Sequence, residues 1–182
     1  MARATARPVD YTTDAVQRGH AMIGRPGDRY PWVHVTGTNG KGTYVAKIAA
    51  ALRMSGHRVG VFTSPHIGTI RERTAVDGVL IPREFCWEFW EDLRKHGGEF
   101  ERLSFFDIQV LMALEYFRVQ KVDLAVIEVG LGGRYDSTNL ANSTLLAAIT
   151  SISLDHTDVL GNSLQSILGS FFLIRQIINQ AS

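Results

Sequence analysis

The chain has 182 residues, 45% of them apolar and 20% charged, with 19 Lys and Arg against 18 Asp and Glu. That length can bury a core of its own, and that composition excludes a disordered tail, a collagen-like repeat and a disulfide scaffold. A net charge of +1 gives no general attraction to nucleic acid or an anionic membrane, so any bound anion must be held by a local site.

A single cysteine, Cys86, permits no internal disulfide and suits a reducing compartment. The opening residues, Met1 to Pro8, lack the apolar centre of a secretory signal, although Arg3 and Arg7 leave a weak organelle-targeting stretch open. No run approaches the ~20 apolar residues of a membrane span. The expectation is a soluble cytoplasmic chain with no nucleic-acid or membrane partner.

In chain order, Trp32-Val33-His34-Val35 is short, apolar and β-branched, the pattern of a buried strand. A glycine-rich turn, Gly37 to Thr43, precedes a helical pattern with Val45, Ile48, Ala49 and Leu52 on one face. Ser55-Gly56 ends that helix, and Arg58 to Phe62 is the next strand. Strand, helix and strand make one βαβ unit, which favours parallel strands and a right-handed crossover. Arg71 to Ile81 reads as a hairpin turning at Asp77-Gly78. Pro82 suits the first turn of a helix carrying Phe85, Phe89 and Leu93, on which Cys86, Trp87 and Trp90 are expected to pack.

Gly97-Gly98 breaks that helix, and Ser104 with Asp107 three residues on predicts a capped start for the next, burying Ile108, Leu111, Met112 and Leu114. Leu124 to Val129 is a third strand, Gly130 to Gly133 a second glycine-rich loop, and Leu145 to Ile152 a fourth strand. Leu164 to Ile178 is helical in pattern and very apolar. This alternation implies an α/β fold of three layers with a mostly parallel sheet, in which ligands bind in loops at the carboxyl ends of strands.

The turn at Gly37 has the parts of a phosphate cradle: glycines that let backbone N–H groups converge, a helix N-terminus, Lys41 to neutralise charge and Thr43 to offer a hydroxyl to Mg²⁺. The fit to G-x-x-x-x-G-K-[ST] is incomplete, because two residues separate Gly37 from Gly40 and Gly42 lies between Lys41 and Thr43. On the pattern alone, a tight glycine turn with a solvated lysine stays open.

The string Thr36-Gly37-Thr38-Asn39-Gly40-Lys41-Gly42-Thr43 resembles the ATP loop of the Mur ligase superfamily, and more narrowly that of the folylpolyglutamate synthase and dihydrofolate synthase family. Four further strings follow in the family's order: Phe62-Thr63-Ser64-Pro65-His66, Arg71-Glu72-Arg73, Glu128-Val129-Gly130-Leu131-Gly132-Gly133-Arg134-Tyr135-Asp136-Ser137-Thr138-Asn139, and Leu154-Asp155-His156-Thr157. The resemblance covers roughly residues 12 to 167.

The resemblance implies an incomplete Mur-ligase-like central ATPase domain over residues 1–182, without the carboxyl-terminal glutamate-ligase domain. It implies a ligase that uses ATP and Mg²⁺ to join glutamate to a folate or dihydropteroate carboxylate through an acyl phosphate. Gly37, Thr38, Asn39, Gly40, Lys41, Gly42 and Thr43 would hold the ATP phosphates. Lys41, Glu128 and His156 would serve catalysis, and Thr43, Ser64, Glu128 and His156 would hold metal. Ser64, Pro65, His66, Arg71 and Arg73 would line the substrate pocket.

Read from the residues alone, other roles stay open. Glu128 is a strand-end carboxylate facing solvent or held by a partner. His156 is structural, Ser64-Pro65 is a turn, and Arg71 and Arg73 are hairpin-face charges. Phe105 and Phe106 are core residues, with pterin stacking as the alternative. Asp136 and Asn139 receive no firm role.

The resemblance breaks near the end. Relatives continue into Glu-Lys-Ala-Gly, whose carbamylated lysine helps bind a second magnesium. Phe171 takes that lysine's place, and no lysine follows Lys121. Two rival readings are kept: a nucleotide-binding fragment that meets a partner chain through Phe171, Phe172, Ile174, Ile177 and Ile178, and a ligase of cell-wall precursors.

Overall fold

The order of elements is α1 (Asp14–Met22), β1 (Trp32–Thr36), α2 (Lys41–Met54), β2 (Val59–Phe62), β3 (Thr74–Val76), β4 (Val79–Leu80), α3 (Arg83–Arg94), α4 (Phe105–Val119), β5 (Leu124–Glu128), β6 (Thr144–Ile149), α5 (Thr157–Leu160) and α6 (Leu164–Phe172). These come from a computed structural model that describes residues 12–140 and 144–172.

Alternation along the strands builds two cores, one on each face of the sheet. Trp32, Phe62, Ala125 and Ile127 point to the face covered by α1, α3 and α4. Val33, Val35, Val59, Leu124 and Val126 meet Val45 and Ala49 of α2 on the other face. Helices on both faces make the expected three layers. On the α4 side, Leu111, Leu114 and Phe117 are fully buried, each contributing about 1.5–3 kcal/mol.

The sheet order is β4-β3-β2-β5-β1-β6. β2, β5, β1 and β6 run parallel, while β3 and β4 are antiparallel. The βαβ unit is present, but its two strands are not neighbours. β5 lies between them and pairs with both, placing Val35 opposite Glu128. Nothing local to residues 32–62 specifies which strand fills that gap.

The hairpin is shorter than the sequence suggests. It turns at Asp77 and Gly78, with φ of 52° and 86°, but Ile70–Arg73 forms a 3-10 turn instead of strand. The Glu72 carboxylate accepts N–H groups of Ile67, Gly68 and Thr69 at 2.7–3.1 Å and winds the chain before β3 begins. These bonds hold its carboxyl below the ordinary glutamate value.

Pro82 is the N-cap of α3 and not within its first turn. Of the residues expected to pack on this helix, Cys86 lies against the core and Trp90 meets Phe100 edge-on at 5.0 Å, whereas Trp87 is 65% exposed. The core-facing stripe of α3 is Phe89 and Leu93, and the tryptophans lie outside it.

Ser104 caps α4 as predicted: its hydroxyl accepts from Asp107 N–H at 3.1 Å, and Asp107 accepts from Ser104 N–H at 2.8 Å. Ser104→Ala should cost about 1 kcal/mol of stability, read as a lower midpoint in urea with an unchanged slope.

β6 stops at Ile149, short of the predicted Ile152, because residues 150–153 leave the ladder to bind the loop after β1. Phe171 is 2% exposed, so it does not join an exposed apolar patch. Ile174, Ile177 and Ile178 lie outside the described residues, as does the Phe172 side chain. Among the described residues no helix is long and apolar enough to cross a membrane.

Candidate functional site

Four parallel strands end at one edge of the sheet, and a polar loop leaves each of them. Four of the five predicted strings fall on these loops, 37–40 after β1, 63–69 after β2, 129–139 after β5 and 150–156 after β6, and Arg71-Glu72-Arg73 follows the second of them.

The loop after β1 is tied down on one side by residues the sequence reading did not single out. Thr38 N–H donates to the Ser151 carbonyl at 2.8 Å, and Asn39 N–H to the Ser151 hydroxyl at 3.0 Å. The Thr150 hydroxyl donates to the Asn39 carbonyl at 2.7 Å. Thr38 Oγ1 accepts from Ser153 N–H at 3.0 Å. The available signal was the cluster of hydroxyls after β6. Gly37 is obligatory here: its φ is +133°, and a Cβ would collide with the Thr150 hydroxyl.

These bonds use the N–H groups of Thr38 and Asn39. Those of Lys41, Gly42 and Thr43 open α2, ahead of its first internal bond from Tyr44 N–H to the Gly40 carbonyl at 2.9 Å. Among the described residues no side chain caps this end, and its first turn carries no acid. It therefore presents N–H donors and a positive dipole end. Lys41 folds back, donating to the carbonyls of Gly37 at 2.8 Å and Thr38 at 3.2 Å. The Thr43 side chain is exposed beside it.

Glu128 shares its face of β5 with Leu124 and Val126, and that face looks at α2. Its carboxylate therefore lies beneath the helix start, 3.6 Å from where a Cβ on Gly42 would stand. It is 4% exposed, which removes the solvent-facing reading. Ser64 N–H donates to it at 3.2 Å. Burial pushes its carboxyl above the ordinary value, while the Ser64 bond and Lys41 oppose the shift.

Beside the loop lies a cleft of about 390 Å³, bordered by Ser64, Pro65, Arg73, Phe106, Asp136 and His156. Gly130, Leu131 and His156 also border a small space against Gly37, Thr38 and Lys41. The two spaces share these three residues as walls. His156 starts α5 with φ of 49°, and its exposed ring stands 3.7 Å from the Asp155 carboxylate. Phe171 closes the small space and adds no oxygen or nitrogen donor there.

The two predicted arginines separate. Arg73 borders the cleft, donating to His66 Nδ1 at 2.9 Å and lying 5.8 Å from the centre of the Phe106 ring. Arg71 donates to the Ile81 carbonyl at 2.7 Å and braces the hairpin. Phe106 packs on Phe62, whereas Phe105 is 59% exposed and faces elsewhere.

Asp136, given no firm role from sequence, is the buried carboxylate of the cleft wall. It accepts from Leu131 N–H at 2.8 Å and from Thr138 N–H at 2.9 Å and Oγ1 at 2.5 Å. Behind it, His34 Nε2 lies 2.8 Å from Thr138 Oγ1. Thr138 has already spent its one proton on Asp136, so His34 donates to it from Nε2. Burial pushes the His34 imidazole down to about 4, and it stays neutral near pH 7.

Residues 35–180 match the Mur ligase middle domain. The chain belongs to the Mur ligase middle-domain family. Among its relatives in that family is the folylpolyglutamate synthase of Arabidopsis thaliana, 41% identical over 140 residues, which are 74% of this chain and 22% of that protein. The dihydrofolate synthase/folylpolyglutamate synthase of Bacillus subtilis is 40% identical over 155 residues, 82% of this chain and 36% of that one. The fold agrees with that of E. coli FolC in complex with ADP, at a TM-score of 0.84 and 34% identity over 92% of this chain and 40% of that one. A folylpolyglutamate synthase–AMPPCP–folate complex gives a TM-score of 0.84 and 34% identity, covering 93% and 43%. The chain thus spans less than half the length of these relatives.

Proposed function

We propose that this chain carries the nucleotide-binding part of an ATP- and Mg²⁺-dependent ligase that joins glutamate to a folate or dihydropteroate carboxylate in the cytoplasm. The observation that carries the proposal is the uncapped start of α2 next to Lys41 and over a buried Glu128, opening onto a cleft with an aromatic wall.

In this reading, N–H groups of Lys41 to Thr43 donate to phosphate oxygens. Lys41 leaves the carbonyls of Gly37 and Thr38 to meet the outer phosphates. The residues present suit a hard cation, because the buried Glu128 carboxylate beneath Gly42 is an oxygen donor, and Thr43 in the first turn of α2 and Ser64, whose N–H meets Glu128, carry hydroxyls. His156 would complete the set from the β6 side. When bound, magnesium neutralises charge on the phosphates.

The cleft then orients the acceptor, with Phe106 offering a ring face, Ser64 and Arg73 its polar border beside Pro65, and His66 holding Arg73. The acceptor carboxylate oxygen bonds to the γ-phosphorus as the bond to ADP breaks. The glutamate nitrogen next bonds to the acyl carbon, phosphate leaves, and the amine loses a proton. The protein contributes alignment and charge neutralisation.

Calorimetric titration with ATP tests the reading. Saturable binding that weakens at least tenfold when Mg²⁺ is chelated is expected. Absence of binding sinks the nucleotide assignment, and equal binding without Mg²⁺ sinks the metal assignment. These 182 residues alone are expected to bind ATP without glutamate-dependent phosphate release; measurable turnover would overturn the partial-domain reading.

A further inference from the structure

β1 runs between β5 and β6 and leads straight into the glycine-rich loop. By strand alternation, His34 and Thr36 share the face on which Trp32 meets α4. Both side chains reach the loop after β5. The Thr36 hydroxyl donates to the Gly132 carbonyl at 2.6 Å, and His34 Nε2 donates to Thr138 Oγ1 at 2.8 Å. Thr138 donates in turn to Asp136, which also accepts the N–H of Leu131. Bond by bond, His34 thus reaches the wall that Gly130, Leu131 and Asp136 give to the cleft.

His34 is 1% exposed and Thr138 is fully buried, so neither touches a ligand in the cleft. Packing does not call for an imidazole in a central strand, since an apolar side chain would fill the place with no polar atom to satisfy. The wall also has little slack: a Cβ on Gly130 would stand 2.5 Å from the Phe106 ring. A shift of this loop toward α4 therefore displaces that ring.

We propose that His34 is a positioning residue which, through Thr138 and Asp136, fixes the 130–136 wall and so the width of the cleft in front of Phe106. Its effect on the acceptor rests on the reading of the cleft as the acceptor site; its hold on the wall does not.

The test uses the ¹⁵N-labelled chain. At pH 7 the His34 ring should carry its proton on Nε2, seen in a long-range ¹H–¹⁵N spectrum; a proton on Nδ1 overturns the proposal. His34→Leu should keep the urea midpoint at or above that of the parent, because a buried imidazole is gone. It should speed amide exchange of Leu131 roughly tenfold, as expected for one lost hydrogen bond, while amides in the middle of β5 keep their rates. His34→Gln, which supplies an N–H in place of the imidazole, should restore the parent rate. An unchanged Leu131 rate in folded His34→Leu, or no rescue by His34→Gln, refutes the positioning role. Should His34→Leu fail to fold, Thr138→Val decides, since it removes the hydroxyl between His34 and Asp136: Leu131 exchange must rise by a similar factor. Folate titration reads the acceptor separately. His34→Leu should raise the folate Kd about fivefold, and equal affinity overturns control of the acceptor. A parent chain that binds no folate sinks the acceptor reading, and Leu131 exchange then decides the proposal.

Discussion

Lys41→Met is expected to weaken ATP binding by about 1.5–3 kcal/mol, roughly 10- to 150-fold in Kd, while the fold persists. The side chain stands at the start of α2, and its ammonium rests on the carbonyls of Gly37 and Thr38. Those two bonds hold the loop closed without ligand, and losing them costs about 1 kcal/mol. The larger loss falls on the nucleotide, whose outer phosphates then have no cation from the loop. Arginine is not an adequate substitute, since its planar fork has a different shape and reach. Calorimetry at fixed Mg²⁺, paired with a urea midpoint, separates the effects. Near-normal ATP affinity in a folded Lys41→Met protein would assign the ammonium to loop closure alone.

Glu128→Gln is expected to act in opposite directions on stability and ligand. Burial pushes the Glu128 carboxyl above its ordinary value of 4.5. The folded protein therefore holds a proton there at pH values where the unfolded chain has released it. By linkage, this group lowers stability as pH rises from about the ordinary value through the raised folded one. Without metal, the variant should lose that slope and gain stability on the order of 1 kcal/mol near pH 7, because a neutral amide replaces a buried charge. It keeps an oxygen for Ser64 N–H. The Mg²⁺-dependent part of ATP affinity should fall at least tenfold, since the buried carboxylate under the loop is gone. Thermal melts across pH 4–8 in EDTA, and ATP titrations with and without Mg²⁺, read the two effects. A variant less stable than the parent at pH 7, with its Mg²⁺ dependence intact, contradicts this account.

Short apolar runs at Trp32–Val35 and Leu124–Val129 marked buried strands, and the two-residue period of the strand places Glu128 on the α2 face once the strand is known. The Ser104–Asp107 cap, the Asp77-Gly78 turn and the end of α2 are local hydrogen-bond or steric devices, so they were legible at short range. Arg71 and Arg73 looked alike in sequence. Their fates differ because Glu72 winds the chain into a 3-10 turn, which sends one side chain to the hairpin carbonyl and the other to the cleft.

By itself the sequence determined the parts: an α/β alternation, a phosphate-type loop, and motif loops that follow strands. Periodicity and turn chemistry act within a few residues, and they suffice for that. Only the tertiary structure decided that β5 inserts between β1 and β2, bringing Glu128 under Gly42 and Asp136 against His34 through Thr138. It likewise decided that Ser151 and Thr150 hold the glycine-rich loop after β1, and that Trp87 and Trp90 border an open cavity. These are contacts between residues far apart in the chain, and strand order, which no local pattern encodes, selects them.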